Sequence, residues 1–194
     1  MARSKSNISN SAIRVFLQMV GRFYDEERGY SRFVPNKRQK EELLEFFDYQ
    51  CCFCGRLIAV DSLSQDHLIP MNKEHLGLHA WGNVVPCCKD CNNDKQHSGW
   101  REFLATQTKG NTLAARHAKI EEFVESRRYD PNLHLHDYAG NLYEDVGSVA
   151  MTLIQLRYKQ AEDAIRQLLA ADDDENDHAE QGGAGQPATR SESE

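Results

Sequence analysis

The sequence predicts a small α+β protein in which a short-stranded centre sits between helical segments. Three observations lead there. Apolar residues recur at three- and four-residue steps near the start of the chain and again through its second half, the signature of amphipathic helices. Residues 51–100 hold all six cysteines, four of the eight histidines and both tryptophans, a shift in composition that marks a separate centre. Short β-type runs at 57–60 and 83–86 fall inside that centre. With 194 residues, 40% of them hydrophobic, the chain can build one medium-sized core rather than two large ones.

From Asn10 the residues Ile13, Phe16, Leu17, Val20 and Phe23 keep helical spacing, and Gly29 follows the last periodic turn, so a first helix is expected to end near Arg28. Pro35 interrupts the pattern, and a second short helix is expected over 41–47, leading into the first cysteines. Helical patterns resume over 100–106 and 112–126. A last one spans 149–169, with Leu153, Leu156, Ala164, Ile165 and Leu168 on its apolar side. After Ala171 the acidic DDDEND run and the GGAGQPATRSESE end carry too little apolar content to offset ordering entropy, which predicts disorder. The expected organisation is a basic helical segment at 1–48, the centre at 49–106, a helical extension at 107–171 and a disordered acidic tail at 172–194.

No run approaches the roughly 18 apolar residues that span a bilayer, and MARSKSNISNSAIRVF lacks a secretory apolar core. A cytoplasmic location without membrane contact is expected. The net charge of −7 is concentrated at one end: eight of the 30 acidic residues follow Ala171, against the single basic Arg190, and the remaining body is neutral. Residues 1–40 hold nine Lys and Arg against three acids, a net +6. That excess is either a footprint for a polyanion or a solvated helix face. The tail, in turn, is either a solubilising appendage or a mimic of DNA that competes for the same basic segment.

Six cysteines in a chain without a secretion signal point to metal or free thiols rather than disulfides. Cys51 and Cys54 form one C-x2-C pair, and Cys88 and Cys91 another. Two such pairs supply four thiolates, the ligand set of a tetrahedral structural zinc site. Cys52 and Cys87 read as small buried apolar side chains.

The 33 residues between Cys54 and Cys88 exceed the gap of about 15 to 20 usual in zinc ribbons. They contain Asp66-His67-Leu68-Ile69-Pro70 and Gly82-Asn83-Val84-Val85-Pro86, and the second cysteine pair runs into Cys91-Asn92-Asn93-Asp94-Lys95. Taken in order, C-x2-C-G, D-H-L-I-P, G-N-V-V-P and C-x2-C-N-x2-K resemble the HNH endonuclease family in its zinc-stapled, four-cysteine branch, over roughly Gln50 to Gly99. The flanking helices lie outside the resemblance.

The resemblance implies a ββα-metal core and cleavage of DNA with Mg²⁺ or Mn²⁺, leaving 5′-phosphate and 3′-hydroxyl ends. His67 would be the general base, since a neutral imidazole takes a proton from water near pH 7. Asp66 would be a hard oxygen ligand of the divalent cation. Asn92, directly after the last cysteine, would be the second ligand, ahead of Asn93 and His97, where many members place a histidine. Asn83 would hold the hairpin and orient the imidazole. Lys95, at the family's basic position, is expected to touch nucleic-acid phosphate, with helix capping as the alternative. The segment MNKEHLGLHAW at 71–81 replaces a short glycine-rich loop and either shapes specificity or packs. His75 and His79 are expected at the surface, and Trp81 and Trp100 as core anchors. A restriction or anti-phage role is consistent with this set. Two rivals stand beside it: an effector subunit licensed by a protein partner such as an ATPase, and a zinc module that binds DNA without cutting it.

Overall fold

The computed structural model describes residues 2–133 and 135–181. These fall into two compact units that divide after Gly147.

In the first unit, helix α1 (Ala2–Glu27) starts well before the expected Asn10. It buries Ile13 and Leu17, but leaves Phe23 at 62% exposure, so the apolar stripe ends one turn earlier than its spacing suggests. Helix α2 (Lys37–Phe46) begins behind Pro35. Asn36 caps it by accepting a 2.9 Å hydrogen bond from the Gln39 amide, the role expected of an asparagine with extended backbone at a helix start.

The sheet has two antiparallel strands, β1 (Ser64–His67) and β2 (Val84–Cys87), with Asp66 opposite Val85 and His67 opposite Val84. The run at 57–60 is not a strand. Leu57 forms only an isolated bridge to Gln50, and a tight turn follows at Val60–Ser62. The polar Ser-Gln-Asp-His segment pairs in its place because β2 is buried along its whole length and requires a partner for its backbone. Helix α3 (Lys89–Lys95) follows β2 directly and packs on β1, completing a ββα unit. Then come α4 (Trp100–Gln107), α5 (Gly110–Ser126) and the single turn α6 (His136–Ala139).

Two apolar clusters hold the unit together. One gathers Leu43 and Leu44 of α2, Val84 and Val85 of β2, Phe103 and Leu104 of α4 and Ile120 and Phe123 of α5 around the cysteines. Trp81 and Trp100 are both buried in it, as anchors. The other joins Ile13 and Leu17 of α1 to Leu76, Leu78 and Ala80, so segment 71–81 packs against α1. Gly21 makes this approach possible: a β-carbon there would lie 2.5 Å from the His79 carbonyl oxygen. A glycine inside a helix costs about 1 kcal/mol relative to alanine, and here the cost is offset by backbone-to-backbone packing.

Asp25 ties the same elements by polar contacts. Its fully buried carboxylate accepts from the Phe33 amide at 3.2 Å, the Trp81 amide at 3.1 Å and Arg28 Nη2 at 2.6 Å. Burial pushes this carboxyl up to about 6 against those donors, so it is ionised at neutral pH. Arg28 also donates to the Trp81 and Arg127 carbonyls and lies over the Tyr24 ring at 4.0 Å.

Helix α7 (Leu142–Gln181) begins in the first unit, where Lys5 pairs with Glu144 at 3.0 Å. Its continuation forms the described part of the second unit and exposes Val149, Leu153, Ile154, Leu156 and Ile165. The helix runs ten residues past the expected start of the tail, because propagation adds one hydrogen bond per residue once a helix exists. Residues 182–194 of the expected tail lie outside the described residues. Among the described residues no helix is long and apolar enough to cross a membrane.

Asp25→Asn keeps the size of this group but replaces one acceptor by a donor facing an N–H and removes the counter-charge of Arg28. Breaking a buried charge pair from one side costs about 3 to 5 kcal/mol. The urea midpoint is expected to fall accordingly; a midpoint near wild type would show that Asp25 does not fasten α1.

Candidate active site

Cys51 and Cys54 sit in a tight turn before the sheet, and Cys88 and Cys91 at the start of α3, with Cys88 as its N-cap. The turn closes through hydrogen bonds from the Cys51 amide to the Arg56 carbonyl and from the Gly55 amide to the Cys51 carbonyl. Gly55 has φ +77°, and a β-carbon there would strike the Arg116 guanidinium, which donates to the Cys51 carbonyl at 3.1 Å. The four sulfurs lie within 4.8 Å of one another, and Cys54 and Cys88 are 3.7 Å apart. Sulfurs at Zn–S 2.3 Å in a tetrahedron stand about 3.8 Å apart, so the set has the dimensions to hold such an ion. Cys52 and Cys87 stay outside it. Both are buried, and burial raises the Cys52 thiol. Cys87 is raised chiefly by its hydrogen bond to Cys51, which lowers the Cys51 thiol to about 4.

Asp66 and His67 are neighbours on β1, and adjacent strand residues point to opposite faces. Asp66 is 8% exposed and Lys95 wholly buried. The Lys95 ammonium lies 3.0 Å from Asp66 Oδ2 and donates to the His67 carbonyl at 2.8 Å. This corrects the expectation for Lys95. A side chain without solvent access cannot meet a phosphate, and it fixes the end of β1 to α3. Burial raises the Asp66 carboxyl, while Lys95 pulls it down. Asp66 Oδ2 is buried, with the Lys95 ammonium 3.0 Å away.

His67 Nε2 stands 3.1 Å from His79 Nδ1. Burial is the main reason that the His67 pKa falls to about 3, with the charges of His79, Lys95 and Arg14 adding to it. His67 is therefore neutral at physiological pH, the form that accepts a proton. His79 is half-buried against it and against the Phe33 ring, 5.2 Å between centroids. It was expected at the surface. No local motif marks it, because it reaches His67 only through the fold of segment 71–81.

Asn83 is fully buried. Its Oδ1 accepts from the Ile69 amide at 2.8 Å, and its Nδ2 donates to the Ile69 and Leu78 carbonyls at 3.1 and 2.7 Å. It thus closes the long loop just beyond β1. Asn92 is half-buried on α3, one turn before Lys95. Asn93 and His97 are exposed, and His75 is an exposed loop residue bonded to Asn72. An apolar cavity of 390 Å³ lined by Leu68, Trp100, Val124 and Tyr129 contains none of Asp66, His67 and Asn92.

The described residues thus form a ββα unit with four clustered cysteines and an Asp-His pair on its first strand. Residues 51–106 match the family model described as HNH endonuclease, a match that supports that family for this segment of the chain. No curated protein matches the chain.

Stripping the cysteine site with a strong chelator leaves four clustered thiols without a common cation. Structural zinc contributes roughly 10 to 16 kcal/mol in small domains, comparable to the total stability of a folded protein. Loss of the cooperative melt is expected, with recovery on adding Zn²⁺; an unchanged melt after removal would overturn a structural role. Lys95→Met strands Asp66 in a buried site, and a loss of about 3 to 5 kcal/mol is expected in urea unfolding.

Proposed function

We propose that the chain is a metal-dependent endonuclease that hydrolyses DNA phosphodiester bonds, with His67 as general base. The observation that carries this reading is the neutral His67 beside Asp66 on β1, with α3, the helix that carries Asn92, packed on that strand. His67 takes the proton of the attacking water, a contribution of typically 10² to 10⁴-fold in rate. His79 meets Nε2 of its ring and Asn83 holds the loop beyond it, so the imidazole is positioned before substrate arrives. Asp66 and Asn92 offer hard oxygen donors for Mg²⁺ or Mn²⁺. When bound, such an ion supplies Lewis-acid stabilisation of the phosphate and of the leaving oxygen. Lys95 holds Asp66 in place and offsets its charge in the interior. The four-cysteine site, filled by Zn²⁺, has a structural part only.

One observation favours a variant of this reading in which a protein partner licenses cutting. The exposed apolar residues Val149, Leu153 and Leu156 of α7 provide a surface on which one could sit.

Plasmid cleavage tests the assignment directly. Supercoiled DNA is expected to be cut with Mg²⁺ or Mn²⁺, to survive without them, and to survive His67→Ala in a protein that retains its zinc and its melt. Cutting by the folded variant at the wild-type rate would remove His67 from the base role.

A further inference from the structure

We propose that α1 and the loop after it form a phosphate-binding groove, in which Arg14, Arg22 and Arg32 guide the DNA backbone to His67. The inference rests on the nuclease reading and lies outside the family-matched segment 51–106.

Arg14, Gln18 and Arg22 follow one another at four-residue steps and share one face of α1. Gln18, Arg22 and Arg32 line a cavity of 300 Å³ whose wall continues through Phe33 to His79. His79 touches His67 at 3.1 Å, so the cavity reaches the catalytic imidazole through one side chain.

The groove is electrostatically open. Arg14 and Arg32 are exposed and make no ion pair among the described residues, and no acidic side chain lines the cavity. Arg22 pairs with Glu26 at 2.8 Å, with both side chains about half exposed, a type of pair worth little in water and open to exchange for a phosphate. The spacing fits a strand as well. Eight residues of helix from Arg14 to Arg22 cover about 12 Å, the axial run of roughly three to four phosphates in one strand of duplex DNA. A divided basic face with no built pocket for a small anion suits a polymer rather than a free phosphate.

The test uses the full-length, zinc-loaded chain carrying His67→Ala, so that bound DNA stays intact. A fluorescein-labelled duplex is titrated across a series of KCl concentrations and read by anisotropy. Adding Arg14→Gln with Arg32→Gln is expected to weaken binding and to reduce the slope of log affinity against log salt by about 1.8, since each lost phosphate contact lowers it by about 0.9. Lys109→Gln, an exposed cation outside the groove, is expected to leave the slope in place. The paired Arg→Lys changes keep the charge and are expected to retain the slope. An unchanged slope in the glutamine pair overturns the groove, and so does a lysine pair that behaves like the glutamine pair, since the effect is then structural. Plasmid cutting by the otherwise unaltered chain separates the two readings. Cutting with an unchanged slope removes the groove alone, whereas a reduced slope without cutting supports the groove and removes the assignment of a nuclease that acts alone.

Discussion

Four sulfur atoms drawn within 4.8 Å of one another join chain positions that are 34 residues apart at Cys54 and Cys88. Closing a loop of that length carries an entropic cost that grows slowly with its size, so the intervening segment is long at little penalty. Once the ends are fixed, the geometry inside the loop narrows quickly. Cys87 ends β2 and Cys88 caps α3, and Cys52 donates its amide to the Pro86 carbonyl, so the first knuckle is hydrogen-bonded to the second strand. Among the described residues β1 pairs with that strand alone, and α3 starts at the clamp itself. The functional side chains inherit their positions from this closure.

Within the closed loop the decisive contact is electrostatic. Lys95 is buried with Asp66, and its ammonium also holds the main chain of His67. Buried charge pairs of this type add little net stability, because desolvation consumes much of the attraction. What such a pair supplies here is placement: one cation on α3 fixes the side chain of Asp66 and the backbone of His67. Asn83 does the equivalent work at the far side of the hairpin with three uncharged bonds.

Much of this was readable from spacing. The two cysteine pairs meet as their intervals require, the second strand falls within a residue of the run at 83–86, and helices occupy both flanks. The misreadings have a common cause. The run at 57–60 looks like a strand because its residues are apolar, yet β1 is the polar Ser-Gln-Asp-His, chosen by its partner rather than by propensity. Lys95 reads as a surface cation until α3 turns it inwards, and His79 reads as a loop residue until Gly21 lets α1 press segment 71–81 against the centre. Each depends on a contact between positions far apart in sequence, and no local pattern encodes such contacts.

The three hydrogen bonds to Asp25 have a consequence for modularity. The stretch that carries the family match starts at Cys51, yet the amide of Trp81 inside it is satisfied by a carboxylate on α1, and the Trp81 indole by the Ser31 carbonyl. The unit of homology and the unit of folding therefore have different borders. Excised at the homology border and grafted elsewhere, the domain would carry two donor groups whose acceptors had been left behind. A transplant would have to begin before Asp25, and α1 would travel with the matched domain as part of its scaffold.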